Sequence, residues 1–301
     1  METYQINVAV ATLWTSKESA RDIDGDAISN PVHIHQWLKS LTYETRLDLC
    51  NSNLVQSQVL FGEEVEVIEM DGDWASVVIP SQPSKKDKRG YPGWINLNQL
   101  IKKEEKLKLE QEKVAIICQP TAILFESPDV KWMQLSYQTS LPVIEIQAHY
   151  VKVKVPTGFG YLLKEDIHIQ EANRIPKRNG DSIVKEAEKF LGLPYLWGGM
   201  SSYGYDCSGF SHTMCKANGY LIARDAHEQA QDGVDISLQD LEPGDLLFFA
   251  YEEGKGFIHH VAIYYGNGQM IHAPNTGKSV EIVKIEGVYE KELCIARRYW
   301  E

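Results

Sequence analysis

Cys207 lies in the stretch GYDCSGFSHTMC (residues 204–215), directly after an acid and directly before Ser208 and Gly209. A cysteine nucleophile needs a reactive thiol, a histidine to take and return its proton, and a group that orients that histidine. Asp206 is a good helix N-cap residue. Phe210, Met214 and Ala217 follow at helical spacing, so Cys207 is expected at the first helical position. Free amides and the positive end of the helix dipole would stabilise a thiolate there and depress its pKa. The Cys207 amide would also face a developing oxyanion, and Gly209 would allow close backbone approach.

The base and its orienter can be read from HHVAIYYGNGQMIHAP (residues 259–274), a β-hairpin turning at Gly266-Asn267-Gly268. A turn centred on Gly266 puts His260 opposite His272, and one centred on Asn267 puts them diagonally across. Both registers keep the two imidazoles on one face, because strand periodicity is two. His259 points to the other face, and its separation from His272 is odd. The same three residues also admit a Cys/His₂ metal site with water in the fourth place. Each taken alone has an ordinary structural explanation.

The surrounding composition narrows the classes. Of 301 residues, 43% are hydrophobic and 24% charged, as in a globular chain of two or three domains. The net charge of −12 argues against nucleic acid or an anionic membrane as the main partner. No apolar run approaches the ~18 residues of a membrane span. The N-terminal METYQINVAVATLWTS has no basic n-region and no long apolar core, so a cytoplasmic location is expected unless a leader has been removed. The five cysteines are widely spaced, without C-x-x-C, so neither a disulfide framework nor a zinc ribbon is expected. Cys50, Cys118, Cys215 and Cys294 are expected to be small buried hydrophobes.

Three regions follow along the chain. Residues 1–105 alternate β-branched runs with turns, including a tight hairpin at Asp71-Gly72-Asp73 and a helical insertion after Pro31 marked by Ile34, Leu38 and Leu41. The stretch PSQPSKKDKRGYPGW (residues 80–94) is expected to be an exposed loop. Residues 106–172 repeat the small-β character, and GYPGWINLNQL and PTGFGYLLKEDI match as glycine-aromatic entries to a last short strand, which points to two copies of one small barrel. The runs 101–113 and 171–180 are expected to be linkers. Residues 173–301 open with an amphipathic helix carrying Ile183, Val184, Ala187, Phe190 and Leu191, capped by Asp181 or Ser182 and ended by Gly192 and Pro194. The Cys207 helix and an antiparallel run of strands follow, an α+β pattern.

LPYLWGGMSSYGYDCSGF, RDAHEQA, LEPGDLLFF and HHVAIYYGNGQMIHAP, in that order, resemble the NlpC-type cell-wall peptidases, a papain-like group. The resemblance covers residues ~175–301. The two preceding regions resemble bacterial SH3-like domains, and the whole layout is similar to bacterial γ-D-glutamyl-L-diamino acid endopeptidases. The resemblance implies two SH3-like barrels followed by an α+β papain-like catalytic domain. It implies a cysteine endopeptidase, without metal or cofactor, that cuts murein peptides such as L-Ala-γ-D-Glu-L-Lys, or the diaminopimelate form, after γ-D-Glu.

By the same resemblance Cys207 is the nucleophile, His260 the base and His272 its orienter, while Tyr195 helps the oxyanion hole. Asp206, Ser208 and Asp225 line the substrate site, with Asp225 suited to a substrate ammonium group. Tyr91, in the first SH3-like domain, is the candidate contact to a free N-terminal L-Ala. Relatives often have glutamate where Gln56 aligns and serine at Ala226, departures that bear on amine recognition. A blocked groove would suit recycling of fragments. Transpeptidation at the same Cys/His site, or simple binding of wall peptides, are the competing functions.

Overall fold

A computed structural model of the chain describes residues 2–103, 113–172 and 176–301. Most of the first expected linker and residues 173–175 of the second lie outside the described residues. By proximity the described residues form two compact units, one comprising 2–81, 89–103, 113–172 and 201–203, the other 82–88, 176–200 and 204–301.

The first unit holds two antiparallel sheets. The first contains β1 (Glu2–Ile6), β2 (Val10–Trp14), β3 (Val55–Leu60), β4 (Glu64–Asp71), β5 (Trp74–Ile79), β6 (Tyr91–Asn96) and β7 (Leu100–Lys102). The second contains β8 (Lys113–Ile117), β9 (Thr121–Ser127), β10 (Val130–Ser136), β11 (Ser140–Ile146), β12 (Tyr150–Val155), β13 (Gly158–Leu163) and β14 (Ile167–Glu171). Their strand orders, β3-β2-β6-β5-β4-β1-β7 and β10-β9-β13-β12-β11-β8-β14, match position for position. In each, a short 3₁₀ turn (Leu97–Gln99, Lys164–Asp166) leads from the sixth strand to the seventh. The internal repeat read from the glycine-aromatic stretches is therefore a repeat of topology, two SH3-like barrels in tandem. The Asp71-Gly72-Asp73 hairpin is present, with Asp71 paired to Trp74 and Gly72 at φ +59°, a left-handed conformation that favours glycine.

Between β2 and β3 the helical insertion is three helices, α1 (Gly25–Ile28), α2 (Ile34–Ser40) and α3 (Tyr43–Asn51). The break before α3 falls at Thr42, whose side chain caps the Thr45 amide. Trp37, fully buried, anchors α2 and donates from Nε1 to Asp24 Oδ1 at 2.8 Å. The 80–94 stretch is not wholly the exposed loop expected. Its end is strand β6, and Tyr91 is buried against Leu13, Val77 and Ile95. Apolar alternation in so short a segment was hidden by the flanking Pro, Gly and charged residues.

The second unit is the α+β domain. Its elements are α4 (Gly180–Glu188), a small hairpin of β15 (Met200–Ser201) and β16 (Gly204–Tyr205), α5 (Cys207–Ala217), α6 (Ala226–Gln229), β17 (Val234–Asp235), β18 (Leu246–Ala250), α7 (Tyr251–Gly254), β19 (Ile258–Gly266), β20 (Gln269–His272), β21 (Glu281–Lys284), α8 (Val288–Glu292) and β22 (Leu293–Arg298). The sheet is antiparallel in the order β17-β22-β18-β19-β20-β21. Its central strand β19 carries α5 on one face.

Asn179, not Asp181 or Ser182, caps α4 by accepting from the Ser182 amide. Ile183, Val184, Ala187 and Phe190 are buried as expected, but Leu191 lies past the helix end and is exposed. Phe190 packs edge-on against Tyr205 and Phe210, whose rings are tilted to each other, with ring centroids of Phe210 5.7 Å from Tyr205 and 6.5 Å from Phe190. They hold the start of α5 against α4. Cys215 is buried in this core, whereas Cys50, Cys118 and Cys294 are only half-buried and Cys294 donates to the Phe248 carbonyl. Because Phe210 is fully enclosed, Phe210→Ala should lower unfolding free energy by about 3–5 kcal/mol. Chemical denaturation should show this, and a change below about 1 kcal/mol would mean that the cluster does not brace α5.

Candidate active site

Asp206 sets the entry to α5. Its backbone is extended (φ −87°, ψ 177°), and Oδ1 accepts from the Gly209 amide at 2.6 Å. Oδ2 accepts from the Gly198 amide at 3.0 Å. Arg224 closes the arrangement, donating from Nη2 to Asp206 Oδ2 at 2.7 Å and from Nη1 to Asp206 Oδ1 at 3.2 Å and Ser208 Oγ at 2.8 Å. Ser208 Oγ in turn donates to Asp206 Oδ1 at 3.1 Å. Arg224 and Asp206 side chains are 1% and 8% exposed, so this is a buried pair, and its geometry and added hydrogen bonds offset the cost of burying two charges. Gly209 is required by space, since a Cβ there would lie 2.2 Å from the Gly199 carbonyl oxygen. Asp206 and Ser208, expected to line the substrate site, therefore act first as an internal clamp. Arg224 was missed in the sequence because nothing local announces the partner of a cap sixteen or more residues away; its signal is the RD pair that opens RDAHEQA.

Cys207 follows as the first residue of α5. The helix it opens packs on β19, and the backbone of Val261, the residue after His260, is close enough to favour the Cys207 thiolate. The expected depression of its pKa is overturned. Burial, and then the adjoining Asp206 carboxylate, push the thiol up to about 12, although the Val261 and Ser208 backbones and the Arg224 guanidinium pull it down. The helix terminus is present, but its first side chain shares the site with an anion.

The hairpin carries the candidate base. Ile263 pairs with Ile271 and Tyr264 with Met270, the register centred on Asn267, which has φ 52°. His260 and His272 thus stand diagonally on one face, and His260 Nε2 meets His272 Nδ1 at 2.8 Å. Each of these two nitrogens is the other's hydrogen-bond partner, so neither is free to ligate an ion. His259 is on the opposite face, 3.1 Å from Glu292 Oε2 and stacked on Tyr251. Burial lowers both imidazoles, His260 well below its ordinary value with further push from His272 and His259, and His272 to about 4 with help from Lys278. At neutral pH both are uncharged.

Tyr195 is buried near the thiol's helix. Its amide donates to the Lys278 carbonyl at 2.9 Å and its backbone bridges Tyr205, two residues before Cys207. Asp225 pairs with Lys86 at 2.9 Å, an ammonium group supplied by the chain itself. Lys85 donates its amide to both Glu228 oxygens at 3.0 and 3.1 Å. Asp225, His227 and Glu228 are the one group of metal-ligating spacing among the described residues, and it excludes Cys207, His260 and His272. Tyr91 and Gln56 are together in the first unit, where Tyr91 Oη donates to Gln56 Oε1 at 3.3 Å and Gln56 Nε2 donates to Thr15 Oγ1 and Asn53 Oδ1.

Comparison with known proteins bears on the same residues. The NlpC/P60 family profile matches residues 192–298, and the YKFC SH3b2 domain profile matches 117–169. The chain is 47% identical over 295 residues to a gamma-D-glutamyl-L-lysine dipeptidyl-peptidase of Bacillus subtilis, covering 96% of each protein. The chain belongs to the NlpC/P60 family. It is a cysteine peptidase, with SH3-like domains preceding the papain-like one. A gamma-D-glutamyl-L-lysine dipeptidyl-peptidase of Bacillus cereus is 40% identical, over 98% of this chain and 90% of that one. A crystal structure of an NlpC/P60 family protein from Bacillus cereus superposes with a TM-score of 0.96 at 40% identity, over 99% of this chain and 100% of that one.

Two outcomes follow from the peptidase's geometry. Arg224→Leu leaves Asp206 buried without its cation and should destabilise the fold by about 3–5 kcal/mol in denaturant titrations. The second concerns pH. The histidines are held low in the fold, while in the unfolded chain they titrate near their ordinary 6.5. The unfolded state therefore binds more protons between pH ~6.5 and ~4, and stability falls as pH is lowered through that window. Melting temperature should drop more steeply from pH 7 to pH 5 in the wild type than in His272→Gln; parallel slopes would contradict the burial of a neutral His272.

Proposed function

We propose that the peptidase hydrolyses the amide between γ-D-Glu and the L-diamino acid of short murein peptides with a free N-terminal L-Ala, releasing L-Ala-γ-D-Glu. The observation that carries this reading is the His260–His272 contact of 2.8 Å, with Cys207 opening the helix that packs on the strand of His260. Near-full-length identity to two gamma-D-glutamyl-L-lysine dipeptidyl-peptidases supports the choice of bond.

With His260 Nε2 engaged by His272, Nδ1 is the ring nitrogen left to take the thiol proton. Because thiol and imidazole are both neutral at rest, proton transfer accompanies attack of sulfur on the γ-carbonyl carbon. The Cys207 amide, in the first turn of α5 and free of an intrahelical acceptor, donates to the oxyanion, with Tyr195 as the second candidate donor. Collapse breaks the C–N bond, and the His260 imidazolium protonates the departing amine. Water, deprotonated by His260, then cleaves the thioester and frees the γ-carboxylate of the dipeptide. Asp225 is the candidate receptor for the substrate ammonium, which must compete with Lys86 for that carboxylate. A requirement for a free amine fits turnover of fragments in recycling.

Mass spectrometry of products from L-Ala-γ-D-Glu-L-Lys, its diaminopimelate counterpart and an N-acetylated tripeptide tests the reading. Wild type should release L-Ala-γ-D-Glu from the free-amine peptides, and Cys207→Ala should release at least about 10³-fold less. Equal release by Cys207→Ala would refute the nucleophile, and equal cleavage of the acetylated peptide would refute the amine requirement.

A further inference from the structure

His272 is fully buried, and its Nε2 has no hydrogen-bond partner. A buried ring nitrogen left unsatisfied is costly. The nearest charged oxygen is Glu281 Oε1 at 3.7 Å, on the cross-strand partner of His272 in β21. That distance is beyond a hydrogen bond but within an ordinary side-chain adjustment, and the Glu281 side chain is 37% exposed, so it can move. The other charged or titratable groups around the ring are Lys278, 3.7 Å from the same Glu281 oxygen, His260, and Tyr289 of α8, whose ring centroid is 5.3 Å from that of His272. His259 and Glu292 pair with each other on the far side of His260.

The two neutral imidazoles can share their two protons in two ways. In the first, His260 Nε2–H donates to His272 Nδ1, and His272 carries its own proton on Nε2. His260 Nδ1 then has a free lone pair and can act as base. In the second, His272 Nδ1–H donates to His260 Nε2. His260 then carries its proton on Nδ1 and cannot accept one from Cys207, and His272 directs a bare lone pair at a carboxylate. Glu281 favours the first arrangement and opposes the second, because a carboxylate accepts hydrogen bonds and repels lone pairs.

We propose that Glu281 is a positioning residue of the peptidase, receiving the Nε2–H of His272 and thereby fixing the tautomers of the two-histidine relay so that His260 Nδ1 remains the base. Glu281 touches neither substrate nor sulfur and acts through His272. Lys278 flanks the carboxylate at 3.7 Å.

This inference rests on the peptidase reading, and two measurements separate their failures. ¹⁵N chemical shifts of the histidine rings in the resting protein need no turnover. They should show His272 protonated on Nε2 and His260 on Nε2 in wild type and in Glu281→Gln, whose amide oxygen still accepts. They should show a mixture of tautomers in Glu281→Ala. In kinetics on L-Ala-γ-D-Glu-L-Lys, Glu281→Ala should lose about tenfold in kcat with KM nearly unchanged, the rate equivalent of one hydrogen bond to a charged group, and Glu281→Gln should recover most of it. If wild type shows Cys207-dependent turnover but both variants stay within about twofold of it, the role of Glu281 is refuted and the peptidase reading stands. If Glu281→Ala keeps His272 protonated on Nε2 alone, the proposal is overturned whatever the turnover. Absence of Cys207-dependent turnover in wild type would refute the peptidase reading, while the ¹⁵N comparison would still decide the tautomer assignment.

Discussion

The buried carboxylate of Asp206 is the constraint on which the active site depends. It caps α5 through Gly209, tethers the Gly198 turn and is itself held by Arg224. Charges this deep are tolerated only when every lone pair and proton is used, and here the ring of partners closes through Ser208. The position of Cys207 is a consequence, since the residue after a fixed N-cap has little freedom. So is its protonation state. The same anion that fixes the helix start stands beside the thiol and opposes its ionisation. The site thus holds a neutral thiol in place of a standing thiolate.

The histidine pair follows the same logic. Burial keeps both rings uncharged, and a neutral base can accept the thiol proton without first losing one. Strand β19 serves both halves, carrying His260 into contact with His272 and packing against α5, which Cys207 opens. A shift of one residue in β19 would turn His260 to the face now held by His259, where Glu292 and Tyr251 await.

Much of this was legible in the sequence. Period-two spacing put His260 and His272 on one face whichever turn centre applied, and Asp206 before a helical run read as a cap. The tandem barrels were legible because each repeats the same glycine-aromatic entry to its last strand, and the shared strand order shows why. The unread parts are partners distant in sequence. Arg224 pairs with Asp206 across a loop, Glu281 meets His272 only through β20–β21 register, and Lys86 reaches Asp225 from the 82–88 segment. The thiol shift was misjudged for a related reason. A helix terminus is visible in one dimension, whereas burial and the direction of the capping carboxylate are set by packing.

The central claim is that Cys207 rests as a neutral thiol beside a neutral imidazole. The most direct measurement is the rate of Cys207 alkylation by iodoacetamide across pH 5–10, followed by mass spectrometry of the modified peptide. The account predicts slow alkylation at neutral pH, rising steadily past about pH 9 without an earlier plateau, because only thiolate reacts. Fast alkylation that is already level near pH 6 would reveal a standing thiolate–imidazolium pair and contradict it.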